Sequence, residues 1–227
     1  MDINISRYFS PDQSQSGSKV ISRKSLEKEV MIHSFIYETQ SKKIYLVTSG
    51  IALVKVQSKF GEKIFYSLVS KNQLFGIENL LDESQRPKEM FYTVVAQTDV
   101  EYLEIELQFF LDCLYAEPIM YRFFFSNMIS QFMFLAQSYQ LMNESVTVRI
   151  VNTLIELINV LDISPNKKGI LTFPKGITQE FIAHYTNASV GRTSVVFNYL
   201  ENNKIIKRWP IQVVDLEKLI DLRNADC

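Results

Sequence analysis

The chain has few of the residues that build metal and disulfide sites. Among 227 residues there are two cysteines, Cys113 and Cys227, and two histidines. Two thiols exclude a disulfide framework, a four-cysteine iron–sulfur cluster and a four-cysteine structural zinc site. Two histidines argue against a histidine-rich metal site. We therefore expect a reduced, cytoplasmic protein with no metal and no cofactor.

Neither sign of charge is in excess. The chain has 24 Lys+Arg and 25 Asp+Glu, a net charge of −1. A protein that binds a polyanion needs only a local basic surface, so this balance excludes little. Between residues 164 and 208 the local charge is +5, because seven basic residues face only Glu180 and Glu201. The basic residues are Lys167, Lys168, Lys175, Arg192, Lys204, Lys207 and Arg208.

Long apolar segments are scarce too. Residues 1–19 are polar and lack the apolar core of a signal peptide, so we expect a flexible start. The most hydrophobic stretch, residues 119–142, contains eight polar residues in 24 positions. On a helix these residues form two stripes, which a membrane-spanning helix would not tolerate. We predict a helix that packs on two partners and no contact with a membrane.

The two polar stripes of this helix separate two apolar faces. The broad face carries Tyr121, Phe124, Phe125, Met128, Phe132, Leu135, Tyr139 and Met142. The narrow face carries Phe123, Phe134 and Leu141. We assign the narrow face to the interface between two copies of the chain, with their long helices side by side.

The hydrophobic period changes once along the chain. Residues 20–107 contain short, evenly spaced runs with turns at Gly50 and Gly61, which indicate an antiparallel barrel or sandwich. From residue 106 onward the period is helical. We expect a β-barrel domain at 20–115, a dimerisation helix at 116–142 and a third domain at 143–227.

The last third predicts two short helices, a tight turn and a β-hairpin. Thr178 and Ser189 are suited to cap helices at 179–185 and 190–202. A hairpin follows at 205–214, and a short helix closes the chain at 216–222. Two helices in this arrangement with a following wing predict a winged helix-turn-helix.

Residues 177–206 strongly resemble the helix-turn-helix of the Crp/Fnr superfamily. The pairs Ile177-Thr178, Ile182-Ala183, Leu200-Glu201 and Ile205-Ile206, together with Ser189, stand at the spacing of that family. The helix that begins at Val146 resembles the one that leads into the family's DNA-binding domain. Residues 44–50, Gly61 and 72–76 resemble its N-terminal barrel.

The resemblance implies an α+β fold with an N-terminal antiparallel β-barrel of the cyclic-nucleotide-binding type, a long dimerisation helix and a C-terminal winged helix-turn-helix. It implies a homodimeric transcription regulator that binds double-stranded DNA at a palindromic operator and contacts RNA polymerase. No P-loop, catalytic triad or metal pair is found, so we do not expect an enzyme. The alternative is an effector-binding module that has lost specific DNA reading and acts through protein partners.

The barrel departs from the members of the family that bind cyclic nucleotides. Their phosphate cassette opens with Gly-Glu-Leu and ends with Arg-Ser-Ala or Arg-Thr-Ala, whereas this chain has Gly76-Ile77-Glu78 and places Met90-Phe91 at the arginine position. A thioether and a phenyl ring cannot neutralise a phosphate. We therefore expect no cyclic nucleotide. The effector stays open between a small apolar or peptidic molecule and none.

The resemblance also assigns the DNA-binding residues. We expect Thr178, Gln179, Ser189 and Thr193 to hold phosphates, and Arg192 to contact either a phosphate or a guanine, with phosphate favoured. Asn198 can reach an adenine edge, and Lys207 and Arg208 in the wing add affinity without specificity. Three further reading positions carry apolar residues: Val190, Gly191 and Val195. Valine methyls meet thymine methyls, so we expect an AT-rich operator.

Overall fold

The structure, a computed structural model, describes residues 21–26, 32–34, 42–58, 63–85 and 90–225. The predicted flexible start at 1–19 and the turn at Gly61 lie outside the described residues. The chain divides into two units, Met1–Phe134 and Leu135–Cys227. The three domain boundaries expected from the sequence stay a prediction.

Within its described residues, the first unit contains eight strands, one whole helix and most of a second helix. The strands are β1 (Ile21–Leu26), β2 (Ile32–Ser34), β3 (Lys43–Ser49), β4 (Ala52–Ser58), β5 (Lys63–Val69), β6 (Leu74–Phe75), β7 (Met90–Ala96) and β8 (Val100–Glu106). The helices are α1 (Leu107–Ala116) and α2 (Pro118–Gln140). Helix α2 continues past Phe134, where this unit ends.

These strands form two antiparallel sheets rather than the closed barrel that we predicted. The strand orders are β1-β8-β3-β6 and β2-β7-β4-β5. Within the described residues no ladder joins the two sheets, so the antiparallel pairing is confirmed and the closed barrel is not observed. The edge strands β2 and β6 contain only three and two residues, too few to support a continuous closing ladder.

The sheet that contains β3 is buried on both faces. Ile44 and Leu46 point into a cluster with residues of α1 and α2, among them Phe110 and Met120. Val47, the neighbour of Leu46, belongs to a second cluster with β4, β5 and β7. Successive side chains of a strand alternate between faces, and both sets are apolar here. The first face therefore anchors the two helices and the second packs against the other sheet.

The turn between β3 and β4 requires glycine. Gly50 has a φ of +84°, in the left-handed region. A Cβ atom at this position would lie 2.1 Å from the carbonyl oxygen of Asp99. The predicted role of Gly50 in a turn is therefore confirmed, and close backbone contact adds to the conformational reason.

One polar stripe of α2 caps the edge of a sheet. The backbone N–H of Leu74 in β6 donates to Oδ1 of Asn127 at 3.1 Å. The Leu74 carbonyl accepts from Nε2 of Gln131 at 2.9 Å. These side chains satisfy the outer backbone groups of a two-residue edge strand, which would otherwise need water or another strand.

The other faces of α2 are not placed as we predicted. Phe123 is 8% exposed and lies in the cluster with α1 and β3, so its assignment to a dimer interface was wrong. Phe134 and Leu141 are half-buried. The exposed apolar side chains include Phe125 at 55% and Phe132 at 68% from the broad face, and Ile129 at 60%, which we had assigned to neither face. The polar caps at Asn127 and Gln131 turn the side of the helix that carries Phe123 toward the sheet. Of the broad face, Phe124 is half-buried against the same cluster.

The second unit is built on helices. It contains α3 (Val146–Val160), β9 (Leu171–Thr172), α4 (Gln179–Tyr185), α5 (Val190–Asn202), β10 (Ile206–Lys207), β11 (Gln212–Val213) and α6 (Leu216–Ala225). Helix α3 contacts α4, α5 and α6. Its buried face, with Ile150, Val151, Leu154 and Leu157 fully buried, supplies the core. The strands form one antiparallel sheet in the order β10-β11-β9.

Candidate nucleic-acid interface

Helices α4 and α5 both begin at a hydroxyl residue that caps them. Oγ1 of Thr178 accepts from the N–H of Phe181 at 3.1 Å, and Oγ of Ser189 accepts from the N–H of Arg192 at 3.3 Å. Each bond satisfies one of the donors that a helix start leaves unpaired. Each hydroxyl keeps its own hydrogen as a donor, so capping is compatible with a contact to a phosphate.

Helix α5 has one buried and one exposed face. Thr193, Val196, Phe197 and Leu200 are buried. Val190 is 51% and Val195 68% exposed, and Gly191, Arg192 and Asn198 are exposed on the same helix. Thr193 is fully buried, so its predicted contact with a phosphate is wrong. Successive residues of a helix are rotated by about 100° about its axis, so Thr193 points into the core although Arg192 before it is exposed.

The exposed face of α5 is open at Gly191. A Cβ atom added there would meet nothing within 4 Å. The glycine is therefore not required by packing within the described part of the chain. Its absent side chain instead leaves the backbone of the first helical turn accessible to another molecule.

The hairpin of β10 and β11 is tied to α5 by Arg208. Nε of Arg208 lies 3.0 Å from Oε2 of Glu201, and Nη2 of Arg208 donates to Oδ1 of Asn198. The Arg208 side chain is 19% exposed. We predicted that Arg208 adds affinity without specificity, but its guanidinium is engaged within the protein. It positions the hairpin against α5, whereas Lys207 is exposed.

The basic excess predicted between residues 164 and 208 lies on the surface. Six of its seven basic residues are exposed: Lys167, Lys168, Lys175, Arg192, Lys204 and Lys207. Because Arg208 pairs with Glu201, the remaining acid of this segment is Glu180, whose carboxylate lies 3.8 Å from His184. The exposed side chains of this segment therefore carry a net positive charge, which favours a polyanionic partner.

The first unit fills the space next to the Gly76 turn with aromatic rings. Gly76 has a φ of +75°, and a Cβ atom there would lie 2.7 Å from the Tyr45 ring. Tyr45 stacks on Phe75, with ring centroids 4.7 Å apart, and meets Tyr102 edge-on. Burial, with Glu104, Glu78 and Glu106 nearby, raises the pKa of Tyr45 to about 12. Aromatic rings pack beside this turn, and carboxylates lie near Tyr45. Both features disfavour binding of an anionic ligand here.

The position that we aligned with the family's arginine lies on β7. Phe91 pairs with Gln57 and Met90 with Ser58 across the ladder between β4 and β7. The described part of the chain contains no group of three or more metal-ligating side chains. Nor does it contain a helix with the length and apolar character needed to cross a bilayer.

Comparisons with known proteins agree on the architecture. The family model of the cyclic nucleotide-binding domain matches residues 27–116. A cyclic nucleotide-binding domain containing protein from Listeria monocytogenes has 16% identity and a TM-score of 0.73, covering 92% of this chain and 96% of its own. A transcriptional regulator of the CRP/FNR family from Thermus thermophilus has 17% identity and a TM-score of 0.67, with coverage of 91% and 100%. Residues 27–116 are therefore similar to the cyclic nucleotide-binding domain, and the chain has the fold of the Crp/Fnr structures.

Another solved structure shares this fold. FixK2 from Bradyrhizobium japonicum has 13% identity and a TM-score of 0.69, covering 89% of this chain and 97% of its own. No curated protein matches the chain by sequence. At such identities the shared property is the fold, and the resemblance predicted from residues 177–206 is confirmed at that level.

Sequence reasoning missed three side chains of the second unit. Tyr199 on α5 is 47% exposed, and Trp209 in the hairpin is 80% exposed. Glu156 on α3 is largely buried, which raises its pKa to about 7. The helical period places Tyr199 one turn beyond Val195, so its exposure could have been deduced. The burial of Glu156 depends on neighbouring helices, which no local pattern reports.

Proposed function

We propose that this protein is a DNA-binding transcription regulator that acts as a homodimer on a palindromic, AT-rich operator. The observation that carries the proposal is the exposed face of α5. Both α4 and α5 begin at a hydroxyl cap, and Arg208 fixes the following hairpin to α5. Such a helix fits the DNA major groove. A regulator of this kind acts in the bacterial cytoplasm and works with RNA polymerase.

Phosphates and bases would be contacted by different residues. Thr178, Gln179, Ser189 and Arg192 would hold phosphates, together with Lys207 in the wing. Val190 and Val195 would meet thymine methyls, and Gly191 would allow a close backbone approach.

Asn198 would read bases differently from our first expectation. Its Oδ1 accepts from Arg208, so the NH₂ group is the part left to bind a base. Bidentate recognition of adenine needs both the oxygen and the nitrogen of the amide. We therefore propose that Asn198 donates to a single acceptor, such as a purine N7 or thymine O4.

The second copy of the chain would bind along the exposed row of α2. Phe125, Ile129 and Phe132 are spaced by four and three residues, and Ala136 and Tyr139 continue this spacing. A 4-3 repeat of apolar residues is the pattern by which two helices pack in a coiled coil. The dimer would present two copies of α5 to half-sites one helical turn apart.

Selection from random duplex DNA tests the proposal. The full-length protein should enrich an inverted repeat with AT-rich half-sites separated by about ten base pairs. A double variant, Val190→Ser with Val195→Ser, should bind DNA but lose the enriched sequence. Lys218→Ala, on α6, is the matched control and should enrich the same sequence. Failure to enrich any sequence would favour the alternative of a module that acts through protein partners.

The effector proposal is that no cyclic nucleotide and no iron–sulfur cluster regulates this protein. Tyr45 occupies the side of the Gly76 turn, and Glu78 follows that turn where a phosphate would add a further negative charge. Calorimetry with cyclic AMP and cyclic GMP should show no heat of binding at physiological concentration. A micromolar Kd for either nucleotide would contradict this proposal.

A further inference from the structure

Trp209 is the chain's single tryptophan and stands exposed at the turn of the hairpin. It is 80% exposed, the highest fraction among the exposed large hydrophobic side chains of the described residues. Burying an aromatic side chain of this size removes roughly 150–250 Å² of surface from water, among the largest contributions that a single residue offers to an interface. A partner that covered this side chain would therefore gain a large apolar contact.

The surrounding hairpin holds Trp209 outward. The turn connects Lys207 of β10 to Gln212 of β11, which pair across the ladder. Within it Ile211 is 3% exposed, and Ile206 just before it is 1% exposed. These two side chains fill the inner side of the hairpin, so the indole has no place in the core.

The turn is also fixed relative to α5. Arg208, the neighbour of Trp209, forms its ion pair with Glu201 and donates to Asn198. Both partners lie on the exposed half of α5. A molecule that lies along this face of α5 therefore comes within reach of the hairpin turn, and Trp209 needs little ordering on binding.

The charges near Trp209 select the kind of partner. Lys204 and Lys207 are exposed, and neither pairs with a carboxylate within the described part of the chain. These two exposed cations lie five and two residues before Trp209 in the chain. Cations and an aromatic ring together complement a phosphate backbone and the sugars and bases that it carries. Apolar wedges are used in this way by proteins that bind the minor groove.

We propose that Trp209 inserts against the sugars and base edges of the minor groove that flanks each half-site. This inference rests on the proposed function and adds a contact that the capped helices do not make. Lys207 would hold the adjacent phosphates, and Arg208 would set the distance from the minor groove to α5. The contact would not depend strongly on sequence, because every base step offers an apolar surface.

The single tryptophan makes the test direct. Binding of the full-length protein to a fluorescein-labelled random-sequence duplex at low salt is followed by anisotropy, and the indole emission is recorded in the same titration. We expect the indole emission to change over the same DNA concentrations as the anisotropy, with the same midpoint. We also expect bound DNA to decrease the quenching of this emission by acrylamide. Trp209→Ala should weaken binding about tenfold, as expected for loss of one aromatic–nucleotide contact. Trp209→Phe should restore most of it.

The outcomes separate this inference from the proposed function. Tyr115→Ala is the matched control, an equally exposed aromatic residue on α1 at 76%, and should bind DNA normally. An anisotropy change without any change in indole emission, quenching or Trp209→Ala affinity would overturn the minor-groove contact and leave DNA binding intact. Indole changes that arise only with RNA polymerase or with anionic vesicles would assign Trp209 to that partner and also overturn it. Absence of any anisotropy change would refute both proposals.

Discussion

Helices α2 and α5 both leave apolar side chains in solvent, but in different surroundings. On α2 they form a row at the 4-3 spacing, with Phe125, Ile129 and Phe132 each more than half exposed. On α5 the two exposed valines are separated by a glycine, an arginine and two hydroxyl residues, and the helix starts at a hydroxyl cap. A continuous apolar row matches the same row on a second copy. Isolated methyls among polar and cationic groups match a DNA groove.

The two units also differ in their buried titratable groups. Burial raises the pKa of Tyr45 in the first unit to about 12, so this phenol stays neutral near pH 7. Burial raises the pKa of Glu156 in the second unit from 4.5 to about 7. Glu156 also raises the pKa of Tyr185, so the two groups are electrostatic neighbours. Among these groups, only Glu156 in the second unit therefore changes charge near neutral pH.

A charge in the α2 row should have the largest effect. Phe132→Glu removes an apolar contact from both copies of the proposed symmetric interface and places two like charges there. We expect the dimer to weaken by at least about 100-fold, measured by analytical ultracentrifugation. Ser130→Glu, on the polar side of the same helix, should leave the dimer unchanged. A Phe132→Glu variant that stays dimeric would show that the row is not the interface.

Glu156→Gln should change how the free energy of unfolding depends on pH. The native state binds the Glu156 proton up to about pH 7 and the unfolded state only up to about pH 4.5. The contribution of Glu156 to the free energy of unfolding is therefore fully present at acid pH and decreases as pH rises from 4.5 to about 7. At pH 8 the substitution should raise the free energy of unfolding by at most about 3 kcal/mol, with little effect at pH 4.

Denaturant unfolding followed by circular dichroism at pH 4 to 8 measures this effect. Glu217→Gln, an exposed carboxylate on α6, is the control and should leave the pH profile as it is. A profile of Glu156→Gln that parallels the wild type at every pH would contradict the assigned cause.

Arg192→Ala tests the division between phosphate and base contacts on α5. We expect binding to all sequences to weaken alike and the salt dependence to decrease by about one charge. Anisotropy titrations on selected and random duplexes at several salt concentrations measure both. Loss of binding to the selected sequence alone would make Arg192 a base reader.

Gly191→Ala should produce the smallest change, in opposite directions for folding and binding. No atom lies near the added methyl group, so the fold should gain part of the roughly 1 kcal/mol by which alanine favours a helix. DNA affinity should decrease if the backbone approaches the groove closely. Thermal unfolding and anisotropy report the two effects, and equal affinity would exclude a close approach at this residue.

The sequence predicted what local patterns determine. Hydroxyl residues before apolar runs located the starts of α4 and α5, and Gly50 located a turn. It did not predict which face of α2 is buried, because both faces are apolar and the choice depends on Asn127 and Gln131 binding the edge of β6. The burial of Thr193 could have been read from the helical period. The pairing of Arg208 with Glu201 joins two elements and had no local signal.

Photo-crosslinking from single positions tests the assignment of the two surfaces most directly. A benzoylphenylalanine is placed at Ile129 or at Val195 in the full-length protein, which is irradiated with bound duplex DNA. We predict that the probe at Val195 crosslinks to DNA, and that the probe at Ile129 crosslinks to a second copy of the chain. A probe at Val195 that labels only protein, or a probe at Ile129 that labels DNA, would contradict the account.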